Sequence, residues 1–226
     1  MKRYIKIIIG IGFIVPSLTA FANLDVHPYL GVNIGMKHSR FASNNGGNIF
    51  KSNYPVGGLF VGVEFLPELS LELNLESTVS KKKKSYGQEG TYPLGIKLDQ
   101  NYNFDSKARF YSVGMDLFYK FKFQESCNGF RPLIGVGIKK VTAKLSSFYA
   151  PSANTLDSAK FDLNKHKSRI LLKLSGGVHY DFNDIFGVRG LISWENTSRL
   201  KPSSPKGSTA KLKDSFGATL GMVVKF

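Results

Sequence analysis

Cysteine is almost missing. Cys127 stands alone among 226 residues, so no intramolecular disulfide can form. Acids are scarce too: 16 Asp and Glu face 31 Lys and Arg, for a formal net charge of +15. The four histidines, His27, His38, His166 and His179, never fall into ligand spacing with one another or with Cys127, so no metal and no cofactor is expected. No stretch after the first 22 residues approaches the ~18 continuous apolar residues that a spanning helix needs. The basic surplus lacks the interleaved aromatics and the motif of a nucleic-acid groove, so no nucleic-acid partner is expected.

The amino-terminal residues carry an address. Lys2, Arg3 and Lys6 precede an apolar run, Ile7 to Ala20, and Ala20-Phe21-Ala22 has the small-x-small form of a cleavage site. Residues 1–22 therefore read as a secretory signal peptide and 23–226 as one domain. Removing 22 of 226 residues takes away three basic groups and no acid, leaving a charge of +12 on 204 residues. Cys127 lies far from that cleavage site and is no lipid anchor. An exported chain without disulfides must gain stability from its hydrogen-bonded architecture or its surroundings. Gly, at 23, and aromatics, at 13 per cent, favour β-structure over a helical bundle.

Period-two alternation recurs in eight segments, at about 28–36, 56–65, 69–79, 108–123, 131–145, 168–182, 185–196 and 216–226. In the third, Leu69, Leu71, Leu73 and Leu75 oppose Ser70, Glu72, Asn74 and Glu76. The rhythm of the fifth slips near Lys139-Lys140, where a bulge is expected. Connections alternate between short (66–68, 124–129, 183–184) and long and polar (37–55, 80–107, 146–167, 197–209). That is the plan of an all-β, up-and-down, eight-stranded antiparallel barrel whose two ends meet different surroundings.

The direction of the apolar face decides between a soluble and a transmembrane barrel. The opposite face is crowded with glycine, including Gly31, Gly62, Gly135, Gly137 and Gly221. Glycine weakens a strand that faces solvent, but inside a narrow barrel it makes room for larger neighbours. The apolar face sets Leu, Val and Ile between aromatics such as Tyr111, Tyr119, Tyr180, Trp194, Phe123, Phe182, Phe186 and Phe226, as a lipid-facing wall does. The charges Glu64, Glu72, Glu76, Asp116, Lys139, Arg169, Lys173, Arg189 and Glu195 then fall in the lumen. Buried charges need opposite partners. They form either a structural plug of ion pairs or a gate that rearranges to pass small ions.

The closing residues Thr219-Leu220-Gly221-Met222-Val223-Val224-Lys225-Phe226 resemble the carboxy-terminal assembly signal of Gram-negative outer-membrane proteins. Val224 departs from it, since an aromatic is commoner there. With the signal peptide and the strand count, the chain is similar to the small opacity-protein and OmpA-transmembrane-domain-like barrels. The resemblance implies insertion by the barrel-assembly machinery, through Thr219, Gly221, Val224 and Phe226, into a bacterial outer membrane. Long loops would lie outside and termini in the periplasm.

In that frame the basic loops acquire a meaning. Lys81, Lys82, Lys83 and Lys84 open the second long stretch, and Arg199, Lys201 and Lys206 crowd the fourth; Lys37, Arg40 and Lys51 add to the first. A charge run is either a solvated face or, at a membrane surface, a site for lipopolysaccharide phosphates or a host polyanion. The expected role is a structural, surface-exposed barrel. The alternatives are a narrow ion-conducting porin and a lipid-modifying enzyme. The barrel class admits enzymes, but the only adjacent His–Ser pair is His38-Ser39, in a loop, and no catalytic residue is assigned.

Overall fold

The computed structural model of the protein describes residues 26–42, 50–90, 101–121, 129–151, 165–197 and 211–226. It forms nine strands: β1 (His27–Ala42), β2 (Asn53–Leu66), β3 (Leu69–Thr78), β4 (Lys81–Gly87), β5 (Tyr102–Lys120), β6 (Phe130–Pro151), β7 (Lys165–Asp181), β8 (Phe186–Glu195) and β9 (Lys211–Lys225). Every neighbouring pair is antiparallel, β9 pairs with β1, and β3 pairs with β5, so the sheet closes on itself. β3 and β4 lie end to end along β5: β3 covers Tyr111 to Tyr119 and β4 covers Tyr102 to Ala108. Nine segments therefore occupy eight positions around a closed antiparallel barrel. Closure gives the backbone groups partners without leaving a sheet edge in hydrocarbon.

Lipid-facing and lumen-facing residues alternate as the period-two pattern predicts. Ile34, Ile192 and Leu220 are each 69% exposed, whereas Lys139 is 2% exposed and Glu72 likewise 2%. Charges inside and bare aliphatics outside is the reverse of a soluble barrel. Inner glycines make this fit possible. A Cβ on Gly62 would sit 2.5 Å from the Tyr29 ring, and one on Gly135 would overlap Phe118. At one short-turn end Asn183 Oδ1 accepts the N–H of Ile185 at 2.9 Å and of Phe186 at 2.7 Å, a self-contained Asx turn.

Most strands are longer than expected, although β3 and β8 are slightly shorter. β5 has 19 residues and β6 has 22, where ~9–11 suffice to cross a bilayer. Lys81 to Lys84 are strand rather than loop, and β1 continues past Met36 to Ala42. The bulge expected at Lys139-Lys140 is absent: β6 keeps unbroken register with β5 and β7 through both residues. What changes there is the environment. Below Lys139 the outer face of β6 carries Ile134, Val136 and Ile138; above it the outer face carries Lys140, Thr142 and Lys144, while Val141, Ala143 and Leu145 turn inward and are buried. The apolar residues swap faces because the outside changes from acyl chains to water.

Candidate functional site

The lumen of the lipid-facing belt is a ladder of paired charges. At the short-turn mouth Asp181 receives Lys225 at 2.9 Å, His179 at 2.8 Å and Arg131 at 3.6 Å, and Lys120 pairs with Glu64. One step inward, both Arg189 Nη atoms donate to the two oxygens of Glu72, which also accepts from the Tyr29 hydroxyl at 2.8 Å. The guanidinium lies 3.8 Å from the centre of Phe60 and 5.5 Å from that of Phe118, so both rings are within cation–π range of it. Above this, Asp116 takes Lys173 Nζ and Asn74 Nδ2, each at 2.7 Å. Higher still, Lys139 bridges Glu76 and Glu195 at 2.6 Å each, and Lys37 also pairs with Glu195. These pairs bring six carboxylates against seven Lys and Arg side chains, with His179 not counted in the formal charge, so the lumen holds little of the chain's +15. The space left beside Glu72, Asn74 and Lys173 is about 20 Å³, room for about one water.

An aromatic plug caps the ladder. Phe41, Phe50, Tyr54, Tyr102, Phe104 and Phe110 pack inward with Val141, Leu145, Leu171 and Leu212 in one buried cluster. Phe41 and Phe50 have ring centres 4.6 Å apart, and Tyr54 meets Phe110 edge-on at 5.1 Å. Lys37 Nζ lies 5.8 Å from the Phe110 ring and marks the seam between charges and aromatics. Burial pushes the pKa of the Tyr54 hydroxyl up, so it stays protonated and donates to the Lys51 carbonyl at 2.5 Å.

Outside this plug, beyond the belt, the wall is basic. On its outer face β4 presents Lys82 and Lys84, β5 presents Lys107 and Arg109, and β6 presents Lys140 and Lys144, all exposed. Register sets Lys82 opposite Lys107, and Arg109 opposite Lys144. Like charges directly across a pair of strands are destabilising. Only Lys84 faces an acid, Asp105.

Of the residues expected in the lumen, Glu64, Glu72, Glu76, Asp116, Lys139, Lys173, Arg189 and Glu195 come together in these pairs. Arg169 does not. It is exposed; among the described residues β8 pairs with β7 only as far as Glu195 opposite Lys173. Lys37, expected in a basic loop, is instead buried against Glu195. The signal was present, since Gly31, Asn33 and Gly35 place Lys37 on the same inward face. Lys81 and Lys83 lie across from Ala108 and Ser106, so only Lys82 and Lys84 of the quartet face outward. His38 and Ser39 point to opposite faces: His38 Nδ1 meets Asn53 Oδ1 at 2.5 Å, and Ser39 Oγ meets Ser215 Oγ inside at 2.8 Å. Thr219 and Gly221 face inward, and Phe226 is 70% exposed with its N–H bonded to the Pro28 carbonyl at 3.0 Å. Arg199, Lys201, Lys206, Phe123, Cys127 and the 1–22 segment lie outside the described residues. Among the described residues no group of three or more His, Cys, Asp or Glu could hold a metal ion.

Comparison with known proteins agrees with this architecture. The chain is similar to neisserial surface protein A, with a TM-score of 0.52 and 14% identity over 87% of this chain and 97% of that one. It is also similar to OprG from Pseudomonas aeruginosa (TM-score 0.49, 11% identity, 89% and 95% covered). A further similar structure is Ail of Yersinia pestis, solved with the heparin analogue sucrose octasulfate (TM-score 0.45, 14% identity, 88% and 99% covered). No curated protein matches the chain by sequence. The family model for the outer membrane protein beta-barrel domain matches residues 11–162. The chain belongs to that family of bacterial outer-membrane barrels.

Proposed function

We propose that the protein is a structural, surface-exposed barrel whose basic long-loop end contacts polyanions, either lipopolysaccharide phosphates or host surface polymers. In this reading residues 1–22 are removed on export, and the assembly machinery reads Thr219, Gly221, Val224 and Phe226. The long-loop end faces the exterior. One observation carries the reading. Lumen charges are satisfied by each other, whereas Lys82 with Lys107 and Arg109 with Lys144 face outward as like-charge partners. Such pairs cost stability until an anion sits between them. Phosphate and sulfate attraction to Lys and Arg needs little geometry and is screened by salt.

The test is retention of the refolded, detergent-solubilised protein on immobilised heparin and on lipopolysaccharide. Retention should fall as salt rises, and the Lys82→Ala/Lys107→Ala double variant should elute at lower salt. Identical elution of variant and parent would sink the reading. The near-filled ladder and the aromatic plug support a closed lumen over a conducting one. Planar-bilayer recordings should accordingly stay silent, and discrete conductance steps would reverse that choice.

A further inference from the structure

Where the lipid-facing belt ends, three successive rows of outer residues change character on one patch of wall. Register aligns Leu59, Leu75, Val113 and Lys140 in the lowest row. Gly57, Ser77, Tyr111 and Thr142 form the next, and Arg109 opposite Lys144 the one above. Gly57, Ser77 and Thr142, the small residues of the middle row, leave a groove of about 730 Å³ beside Tyr111, within the range of ligand sites. Nothing in the packing requires glycine at 57: a Cβ there would meet only the Asn33 carbonyl oxygen, at 3.8 Å. The groove is apolar below over Leu59, Leu75 and Val113, with Lys140 at one end of that row, open in the middle, and overlooked from the next row by Arg109 and Lys144.

The two cations are held in place. Arg109 Nε donates to the Thr78 carbonyl and Nη2 to Ser77 Oγ, both at 3.2 Å, and its guanidinium covers the Tyr111 ring at 4.6 Å. Lys144 Nζ lies 5.2 Å from the centre of the same ring. Among the described residues neither reaches a carboxylate within salt-bridge distance. A second outer groove, about 520 Å³ around Gly190, is walled by Val32, Val178, Val188 and Leu220 and has no such charged rim. Bulk acyl chains satisfy that one; the first asks for a chain and an anion on one molecule.

We propose that this groove binds one acyl lipid with a phosphate headgroup, from the leaflet at the long-loop end. One chain lies over Gly57 between Leu59 and Tyr111, and the phosphate sits between Arg109 and Lys144. The proposal rests on the polyanion reading of this rim but adds an acyl chain, which heparin lacks.

Native mass spectrometry of the full chain released from neutral detergent micelles tests it with three probes: phosphatidic acid, diacylglycerol and glycerol 3-phosphate. A single phosphatidic acid adduct is expected, with no comparable adduct from diacylglycerol or glycerol 3-phosphate. Arg109→Ala/Lys144→Ala should lower the adduct about tenfold, as loss of charge-assisted hydrogen bonds does. Gly57→Phe should lower it similarly while heparin retention stays unchanged, and Thr142→Phe fills the other end should the first variant fail to fold. Undiminished phosphatidic acid binding by a folded groove-filled variant would overturn the lipid site. So would glycerol 3-phosphate competing as well as the lipid, although the polyanion reading would then stand. Loss of heparin retention by the parent, with the lipid adduct intact, would instead remove the polyanion reading alone.

Discussion

The belt and the extension above it are the same eight-position sheet, yet their walls are inside out relative to each other. In β5 the even residues face inward throughout. Within the belt those are Gly114, Asp116, Phe118 and Lys120; in the extension they are Tyr102, Phe104, Ala108 and Phe110, with Ser106 the polar exception, bonded to Ser147 at 2.8 Å. The outer face changes in the opposite sense, from Val113, Met115 and Leu117 to Asn103, Lys107 and Arg109. Backbone pairing does not register the change. Acyl chains reward an apolar outside and push the charges together within, whereas water rewards a charged outside and drives the aromatics in. The two halves thus rest on different interactions, charge pairing below and apolar burial above, and each can be broken separately.

The largest effects should come from the cores of the two halves. Glu72→Ala strands Arg189 between Phe60 and Phe118 and should cost roughly 3–5 kcal/mol of belt stability, measured by urea unfolding in detergent. Adding Arg189→Leu should restore most of that loss, since an apolar pair avoids the desolvation of two charges. In the extension Phe110→Ala should cost a similar ~3–5 kcal/mol locally. Hydrogen exchange should then quicken in β4 and the upper parts of β5 and β6, while the belt amides stay protected. Uniform loss of protection along the whole barrel would mean that the halves do not separate.

A charge placed on the outer wall probes the boundary itself. Val136, 46% exposed between Leu117 and Leu174, lies in the belt. Val136→Arg should cost about 2–4 kcal/mol in folding from urea into lipid vesicles. Thr142→Arg, six residues along the same face, should cost less than about 0.5 kcal/mol, as surface changes do. Equal penalties at both sites would place the membrane boundary elsewhere.

Much of the belt is legible in the sequence because each strand states its own answer twice, once in its aliphatics and once in the glycines and charges opposite. The extension is less legible for a physical reason. Its apolar residues keep the period but occupy the other face, so in β6 the switch at Lys139-Lys140 imitates a bulge. In β1 the alternating pattern stops at Lys37, where the lipid-facing residues stop, although the strand itself runs on to Ala42. Which carboxylate takes which base was equally hidden, since the pairs join residues as distant as Lys37 and Glu195 across the lumen. Arg169 has the right parity for the lumen, but the early end of β8 is a tertiary fact that its own strand does not encode.

The smallest predicted effect separates stability from binding. Lys82 and Lys107 face each other across β4 and β5 on the water side, and a like-charge pair there is mildly destabilising. Lys82→Glu converts the repulsion to attraction and should raise the stability of the extension by about 0.2–1 kcal/mol, readable as slower local hydrogen exchange. The same change should lower the salt concentration at which the protein leaves heparin, because it removes one cation and adds an anion beside another. A variant that is firmer but binds less would mean that the repulsion is kept for an anionic partner to relieve. If the variant is firmer and binds as tightly as the parent, these lysines are an ordinary solvated face.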